Sequence, residues 1–448
     1  MVSDPALPDD TLMSAPAIAA TALAKPNARR ARLAAASMVG TTLEWYDFTI
    51  YNTMAALIFN QLFFPAVDPL AGILLAFSTY AVGYISRPLG GVVFGYLGDK
   101  LGRRAVLVIT LVLMGVTTAA VGLLPTYAAA GVLSPLLLVA LRFVQGVALG
   151  GEWAGAVLLS MEHGRPGRRG LNASWTQVGP SGGTLLATAA IATLTASLSD
   201  PDFLAWGWRL PFLLSLVLVV FGLWVRAGVE ETPMFKELEL SNRKAEAPVR
   251  EVLRHHWRRL LIAAGSRVGS DVHYALIVVF TLTYLTAVLH LSRDFALRAV
   301  LIAAVFNAIC VPLFGLLSDV LGRRIVYGFG AVLAVLFAFV YFPLLDSGSA
   351  TVIVLAAIAG LLLHAMMFGP QASFVAEQFG TPVRYTGASL AYTFAGIVGG
   401  GFAPLLMAYL YQRFGNTLAV SWYVAAALAV TLVAIFAAKE TAKKPLED

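Results

Sequence analysis

Gly98-Asp99-Lys100-Leu101-Gly102-Arg103-Arg104 returns 220 positions later as Ser318-Asp319-Val320-Leu321-Gly322-Arg323-Arg324. Each copy sits in a short charged gap between two long apolar stretches. A charged hairpin repeated at matching places in two halves predicts a chain built from a duplicated membrane bundle. Many secondary transporters are made that way, so the repeat bears on function as well as fold.

The surroundings of the two copies agree. The 448 residues are 59% hydrophobic and only 12% charged, with a mean hydropathy of +0.79. A soluble chain of this length needs far more charge to coat its surface, so most of this surface must face lipid. The lone Cys310 lies in an apolar stretch and excludes disulfides within the chain. The net charge of +6 is carried in the gaps between spans, which argues for a membrane surface and against nucleic acid.

A helix crosses the hydrocarbon core with about 20 apolar residues. Six such spans are expected at Leu33–Phe59, Leu70–Leu97, Ala105–Leu124, Val132–Met161, Leu171–Leu198 and Leu204–Ala227. Six more are expected at Arg259–Leu289, Phe295–Leu317, Ile325–Leu345, Thr351–Val375, Gly387–Tyr411 and Thr417–Ala438. The expected organisation is therefore a disordered tail over 1–28, a six-helix half over 29–227, a central loop over 228–258, a second half over 259–438 and a tail over 439–448. The first tail has no basic segment ahead of an apolar core and does not read as a signal peptide. Thr232-Pro233 predicts a short amphipathic helix in the central loop.

Basic residues alternate by side. Lys25, Arg29, Arg30 and Arg32 precede span 1, and the even-numbered gaps carry Lys100, Arg103 and Arg104, then Arg165, Arg168 and Arg169, then Arg323 and Arg324, then Arg384. The odd-numbered gaps are nearly empty, with Arg293 and Arg413 the main exceptions. The positive-inside rule then predicts that both termini and the central loop are cytoplasmic. Within each hairpin copy the glycine permits a tight turn and the arginines suit an anionic leaflet. Topology alone does not require an acid, so Asp99 and Asp319 point to a latch between the halves. Its expected members are Asp99, Arg103, Arg104 and Glu162, with Asp319, Arg323, Arg324 and Glu377.

Several motifs narrow the reading. Gly95-Tyr96-Leu97-Gly98-Asp99-Lys100-Leu101-Gly102-Arg103-Arg104 resembles the loop signature of the major facilitator superfamily. Glu44-Trp45-Tyr46-Asp47-Phe48, Arg87-Pro88-Leu89-Gly90-Gly91, Arg142 through Gln145-Gly146 to Gly150-Gly151-Glu152-Trp153, Trp206-Gly207-Trp208-Arg209 and Glu231-Thr232-Pro233-Met234-Phe235 resemble its metabolite–proton symporters. The resemblance covers nearly the whole chain beyond the first tail. It implies an all-α membrane protein of twelve helices in two six-helix halves, the major facilitator fold, in a bacterial inner membrane. It also implies proton-coupled uptake of a small polar metabolite, an organic acid or a zwitterion. The expected state is a monomer, with the proton as coupling ion and no cofactor.

Charged side chains at the bilayer centre are costly and by default mark function. Counting rise along the spans puts Glu44 roughly 17 Å deep, Asp47 roughly 21 Å and Arg87 roughly 16 Å, with Arg142 roughly 13 Å from the other side. Glu44 and Asp47 share a helical face, as do Asp47 and Tyr51. Asp47, with Glu44 and Arg142, is the expected proton-coupling group: ionised it pairs with Arg142, and protonation releases that arginine. The competing reading is a permanent ion pair joining spans 1 and 4. Arg142, Arg87, Glu152, Trp153, Tyr51, Tyr46, Gln177, His273, Tyr274 and His364 are the expected substrate contacts. Arg267 and Asp271, four apart, are expected to neutralise one another. No histidine pair has zinc spacing with a third ligand.

The glycine runs Gly179-Pro180-Ser181-Gly182-Gly183 and Gly396, Gly399, Gly400, Gly401 with Pro404 permit close approach and bending of spans 5 and 11. The first is similar to the superfamily's antiporter signature but has one residue, not two, between the proline and the glycine pair. An exporter of the same fold is thus the alternative to a symporter. A membrane enzyme would need a metal cluster, a nucleophile–base pair or a nucleotide loop, and the sequence offers none.

Overall fold

The computed structural model describes residues 26–65, 69–164, 167–227, 231–240 and 247–446. Lipid offers no partner to backbone N–H and C=O groups, so each crossing must satisfy them within a helix. Among the described residues the regular structure is helical, with no strand. The first half holds α1 (Pro26–Met54, continuing through a wider turn, Ala55–Phe59, to Phe63), α2 (Pro69–Leu101) and α3 (Arg103–Leu123). It continues with α4 (Leu133–Glu162), α5 (Arg169–Ser174 and Gly179–Ser197) and α6 (Arg209–Ala227). The second half holds α7 (Trp257–Ala275, continuing to Val288), α8 (Arg293–Leu321) and α9 (Arg323–Leu345). It ends with α10 (Ala350–Ala376), α11 (Arg384–Gly396 and Ala403–Phe414) and α12 (Leu418–Ala437). The largest shift from the expected ends is at α1, which begins at Pro26 instead of Leu33.

Both hairpins are tighter than the sequence suggested. One residue separates α2 from α3, Gly102 at φ 104°, and one separates α8 from α9, Gly322 at φ 110°. A side chain would be strained at such angles, and glycine reverses the chain in a single step. Asp99 and Arg103 are consequently helical residues facing one another across that step, not members of a loop.

The halves pack alike. α2 lies on α4 as α8 lies on α10, α1 on α5 as α7 on α11, and α3 on α6 as α9 on α12. Between the halves α2 meets α11, and α8 meets the first turns of α5. The α2–α4 crossing is backbone to backbone: a Cβ on Gly150 would meet the Arg87 carbonyl and one on Gly90 the Val147 carbonyl. This brings the arginines of both helices into the interior. Val217, Trp224, Leu336, Val433 and Phe436 lie exposed around the outside, as lipid contact requires.

The central loop contains two short helices, Pro233–Leu240 and Pro248–His255. The first is capped by Thr232, whose hydroxyl accepts from Phe235 N at 3.3 Å; the second had no sequence signal assigned to it. Residues 1–25 of the first tail, 228–230 and 241–246 of the central loop and 447–448 at the end lie outside the described residues. Residues 439–446 do not hang free. They are bound at the hairpin end of the bundle.

Candidate functional site

Among the described residues, four acid–arginine pairs lie inside the bundle away from the hairpin end. Asp47 Oδ2 accepts from Arg142 Nη1 at 2.8 Å, and Glu44 Oε1 from Arg87 Nη2 at 3.0 Å. Glu152 Oε1 accepts from Arg226 Nη2 at 2.7 Å, and Asp271 Oδ2 from Arg267 Nε at 2.6 Å. Glu44 and Asp47 thus do not share one arginine; a separate partner holds each.

Asp47 is the most fully bonded. Its Oδ1 accepts from Thr118 Oγ1 at 3.0 Å and from Gln145 Nε2 at 3.1 Å, while Gln145 also donates to Thr118 at 2.9 Å. Gln145 lies one helical turn beyond Arg142, so α4 presents both donors to the same carboxylate. The Arg142 guanidinium lies 3.3 Å over the Tyr51 ring, and the Tyr51 hydroxyl meets Thr79. An ionised Asp47 is therefore neutralised and hydrogen-bonded while buried, and adding a proton would remove the charge that holds Arg142.

The second half supplies the facing wall. Arg267 lies 3.2 Å over the Tyr392 ring, whose other neighbour is Trp153, stacked at 4.1 Å. Trp153 Nε1 donates to Gln177 Oε1 at 2.9 Å, so α4, α5, α7 and α11 meet in one stack. Tyr274 contacts Trp45 at 5.9 Å and His364 at 4.9 Å, bridging α1, α7 and α10. His364 lies 3.1 Å from Asn307, and His273 bonds the Gly360 carbonyl at 2.9 Å. α7 and α11 both open into wider turns here, Leu276–Phe280 and Ile397–Gly401.

Two of the expected substrate contacts have their polar atoms bonded within the first half. The Tyr46 hydroxyl donates to the Pro211 carbonyl on α6 at 2.7 Å. Glu152 is held by Arg226, whose Nη1 also donates to the Leu107 carbonyl at 2.5 Å, so this pair ties α4, α6 and α3 within one half.

The hairpin end carries a symmetric set of bonds between halves. Asp99 Oδ2 accepts from Thr386 N at 3.0 Å and Thr386 Oγ1 at 2.7 Å in the first turn of α11. Asp319 accepts from Gly170 N at 2.8 Å and Leu171 N at 3.0 Å in the first turn of α5. Each hairpin aspartate thus caps the start of a helix in the opposite half. Glu162 lies between Arg103 of its own half (3.8 Å) and Arg384 of the other (3.3 Å). Glu377 lies between Arg323 (3.3 Å) and Arg169 (3.0 Å) in the same manner. Arg104 and Arg324 take no part across the seam. Arg104 Nη2 bonds the Ala227 carbonyl and Arg324 Nη2 the Phe436 carbonyl, each inside its own half.

Sequence reasoning missed Thr118, Arg226, Tyr392, Thr386 and the bridging roles of Arg169 and Arg384. It also missed a second repeat. Glu231-Thr232 after α6 returns as Glu440-Thr441 after α12. Glu231 accepts from Arg103 N and Arg104 N at 3.1 Å each, and Glu440 from Arg323 N at 3.0 Å and Arg324 N at 2.9 Å. Burial pushes the Glu440 carboxyl up, but the amides of Ala442, Arg324, Arg323 and Thr441 outweigh it and hold it below the usual glutamate range.

Two related bundles, buried acid–arginine pairs in their interior and a bonded seam at one end are the build of a secondary membrane transporter. The chain belongs to the sugar (and other) transporter family of the major facilitator superfamily, whose profile matches residues 33–251 and 235–448. It is 39% identical to the shikimate transporter of Escherichia coli, over 97% of this chain and 99% of that one. It is 38% identical to the inner membrane metabolite transport protein YhjE of the same organism, over 93% of this chain and 96% of that one. Its fold matches the proton:xylose symporter XylE bound to 6-bromo-6-deoxy-D-glucose with a TM-score of 0.78 and 17% identity, over 94% of this chain and 98% of XylE. It is a multi-pass inner membrane transporter.

Proposed function

We propose that the protein is a proton-coupled symporter that takes up a small polar metabolite, with its hairpin end and both termini in the cytoplasm. The observation that carries this reading is the Asp47 cluster: one carboxylate at mid-depth, bonded to Arg142, Gln145 and Thr118 from two other helices. Protonation removes the charge that binds α1 to α4, and deprotonation restores it. The state of one side chain thereby biases how α1 and α4 pack. The closed seam then corresponds to the state shut toward the cytoplasm. A proton entering down a tenfold concentration gradient supplies about 1.4 kcal/mol, enough for modest accumulation. The relatives named for shikimate and metabolite transport support a small-molecule cargo.

The test is Asp47→Asn in reconstituted vesicles. Accumulation against a gradient should be lost while exchange of labelled for unlabelled substrate continues. If gradient-driven accumulation persists, Asp47 is not the coupling acid. In cells, collapsing the proton gradient should lower internal substrate; a rise would favour the exporter.

A further inference from the structure

The four membrane-interior pairs leave no net charge: Glu44, Asp47, Glu152 and Asp271 stand against Arg87, Arg142, Arg226 and Arg267. An uncompensated charge at this depth costs several kcal/mol, so each loaded state is favoured when its sum stays at zero. On the symport reading, which this inference rests on, loading adds one proton and one substrate. A substrate with a single negative charge returns the sum to zero. A zwitterion would leave the interior with an excess positive charge, and a dicarboxylate an excess negative one.

The pairs differ in which can accept that charge. Arg267 and Asp271 are the most open, at 9% and 10% side-chain exposure, against 5% or less for the other three pairs. Arg142 has buried nitrogens without a hydrogen-bond partner, Nε and Nη2, but it is sealed at 2%, with one face under Tyr51 and Nη1 held by Asp47, so openness is what separates it from Arg267. Arg267 commits Nε to Asp271 and one face to Tyr392, and its buried Nη1 has no hydrogen-bond partner. Asp271 thereby fixes the guanidinium while leaving donors on its far edge, the geometry that suits a carboxylate. Gly399 lies against the Asp271 Cβ, in the wider turn of α11, so that helix can approach without a side chain in the way.

We infer that Arg267 anchors the carboxylate of a monoanionic substrate, which crosses with one proton as an electrically neutral load. The anchor is then on the second half and the proton on the first, so closure on substrate joins the two. Arg142 serves the proton site instead of the cargo.

The test uses the purified full chain. Thermal stabilisation is measured with monocarboxylates (shikimate, quinate, lactate, benzoate), with α-ketoglutarate and citrate, and with the zwitterions proline and glycine betaine. At least one monocarboxylate should stabilise and the others should not. Arg267→Gln alone strands Asp271, so R267Q/D271N, which keeps the sum at zero, is the informative variant. It should weaken that ligand by about ten- to a hundredfold, the loss of a charge-assisted contact. In vesicles, uptake should follow an imposed pH gradient and ignore an imposed potential. A preference for dianions or zwitterions, no response to any monocarboxylate, unchanged affinity in R267Q/D271N, or uptake driven by potential alone would each overturn the inference. Monocarboxylate binding lost in R267Q/D271N, but with no proton-driven uptake in the wild type, would remove the symport reading and keep the anchor.

Discussion

Replacing both hairpin aspartates, Asp99→Asn with Asp319→Asn, should open the hairpin end. Each carboxylate accepts two bonds from the first turn of a helix in the opposite half, at 3.0 and 2.7 Å for Asp99 and at 2.8 and 3.0 Å for Asp319. Asparagine keeps one acceptor oxygen but loses the charge facing the positive helix end. The loss per site is about 1.5 kcal/mol, from a weakened charge-assisted bond and the helix-end interaction. The two sites lie on different hairpins and share no partner, so their effects should add to about 3 kcal/mol. That is roughly a hundredfold in the ratio of closed to open molecules. Pulsed electron resonance between spin labels on Leu101→Cys and Leu321→Cys, both exposed at the hairpin tips, reads that ratio directly. Cys310, the single native thiol, is replaced first. Each single variant should give roughly a tenfold shift. A double variant whose distance distribution matches the parent would refute the capping argument, since the removed charge would then have no role in closure.

Gly150→Ala should lower the melting temperature, because its Cβ would meet the Arg87 carbonyl and the Gly90 backbone, and overpacking of this kind costs about 1–3 kcal/mol. Gly182→Ala, whose Cβ would meet only Thr42 side-chain atoms at 3.5 Å and beyond, is the control and should melt as the parent does. Glu440 gives a pH test with a definite sign. Its carboxyl is held below the usual range in the folded protein, so its caps on Arg323 and Arg324 are complete above that range and fail only as pH falls through the lowered value. A spin label at Lys444 should stay immobile from neutral pH down to the usual glutamate range and loosen only below it; loosening near neutrality would show that Glu440 does not hold the segment.

The sequence showed the architecture because the bilayer imposes it. Twelve apolar runs, a duplicated hairpin and alternating basic gaps are properties of the chain read in one direction, and each has one cheap solution in lipid. The mid-depth acids were legible for the same reason: Asp47 and Glu44 stand out against an apolar background. The Asp47–Arg142 pair was legible too, but the remaining partners were not. Thr118 and Gln145 are ordinary residues in sequence, and only the crossing of α3 and α4 behind α1 puts both on the Asp47 carboxylate. Arg169 and Arg384 read as topology signals, yet each bonds a glutamate of the opposite half. The pairing of Arg104 and Arg324 within their own halves was equally hidden, because adjacent helical residues point about a quarter-turn apart.

By itself, then, the chain determined how many times it crosses the membrane, that it does so as two related halves, and which charges it must bury. Those follow from local composition and the cost of leaving backbone and side-chain polarity in hydrocarbon. Which arginines hold Glu44 and Glu152, and that Arg267 stays more open than Arg142, was decided by helix packing. Helices far apart in sequence contribute the two sides of each contact, and small rotations of a helix choose among several basic residues of equal charge.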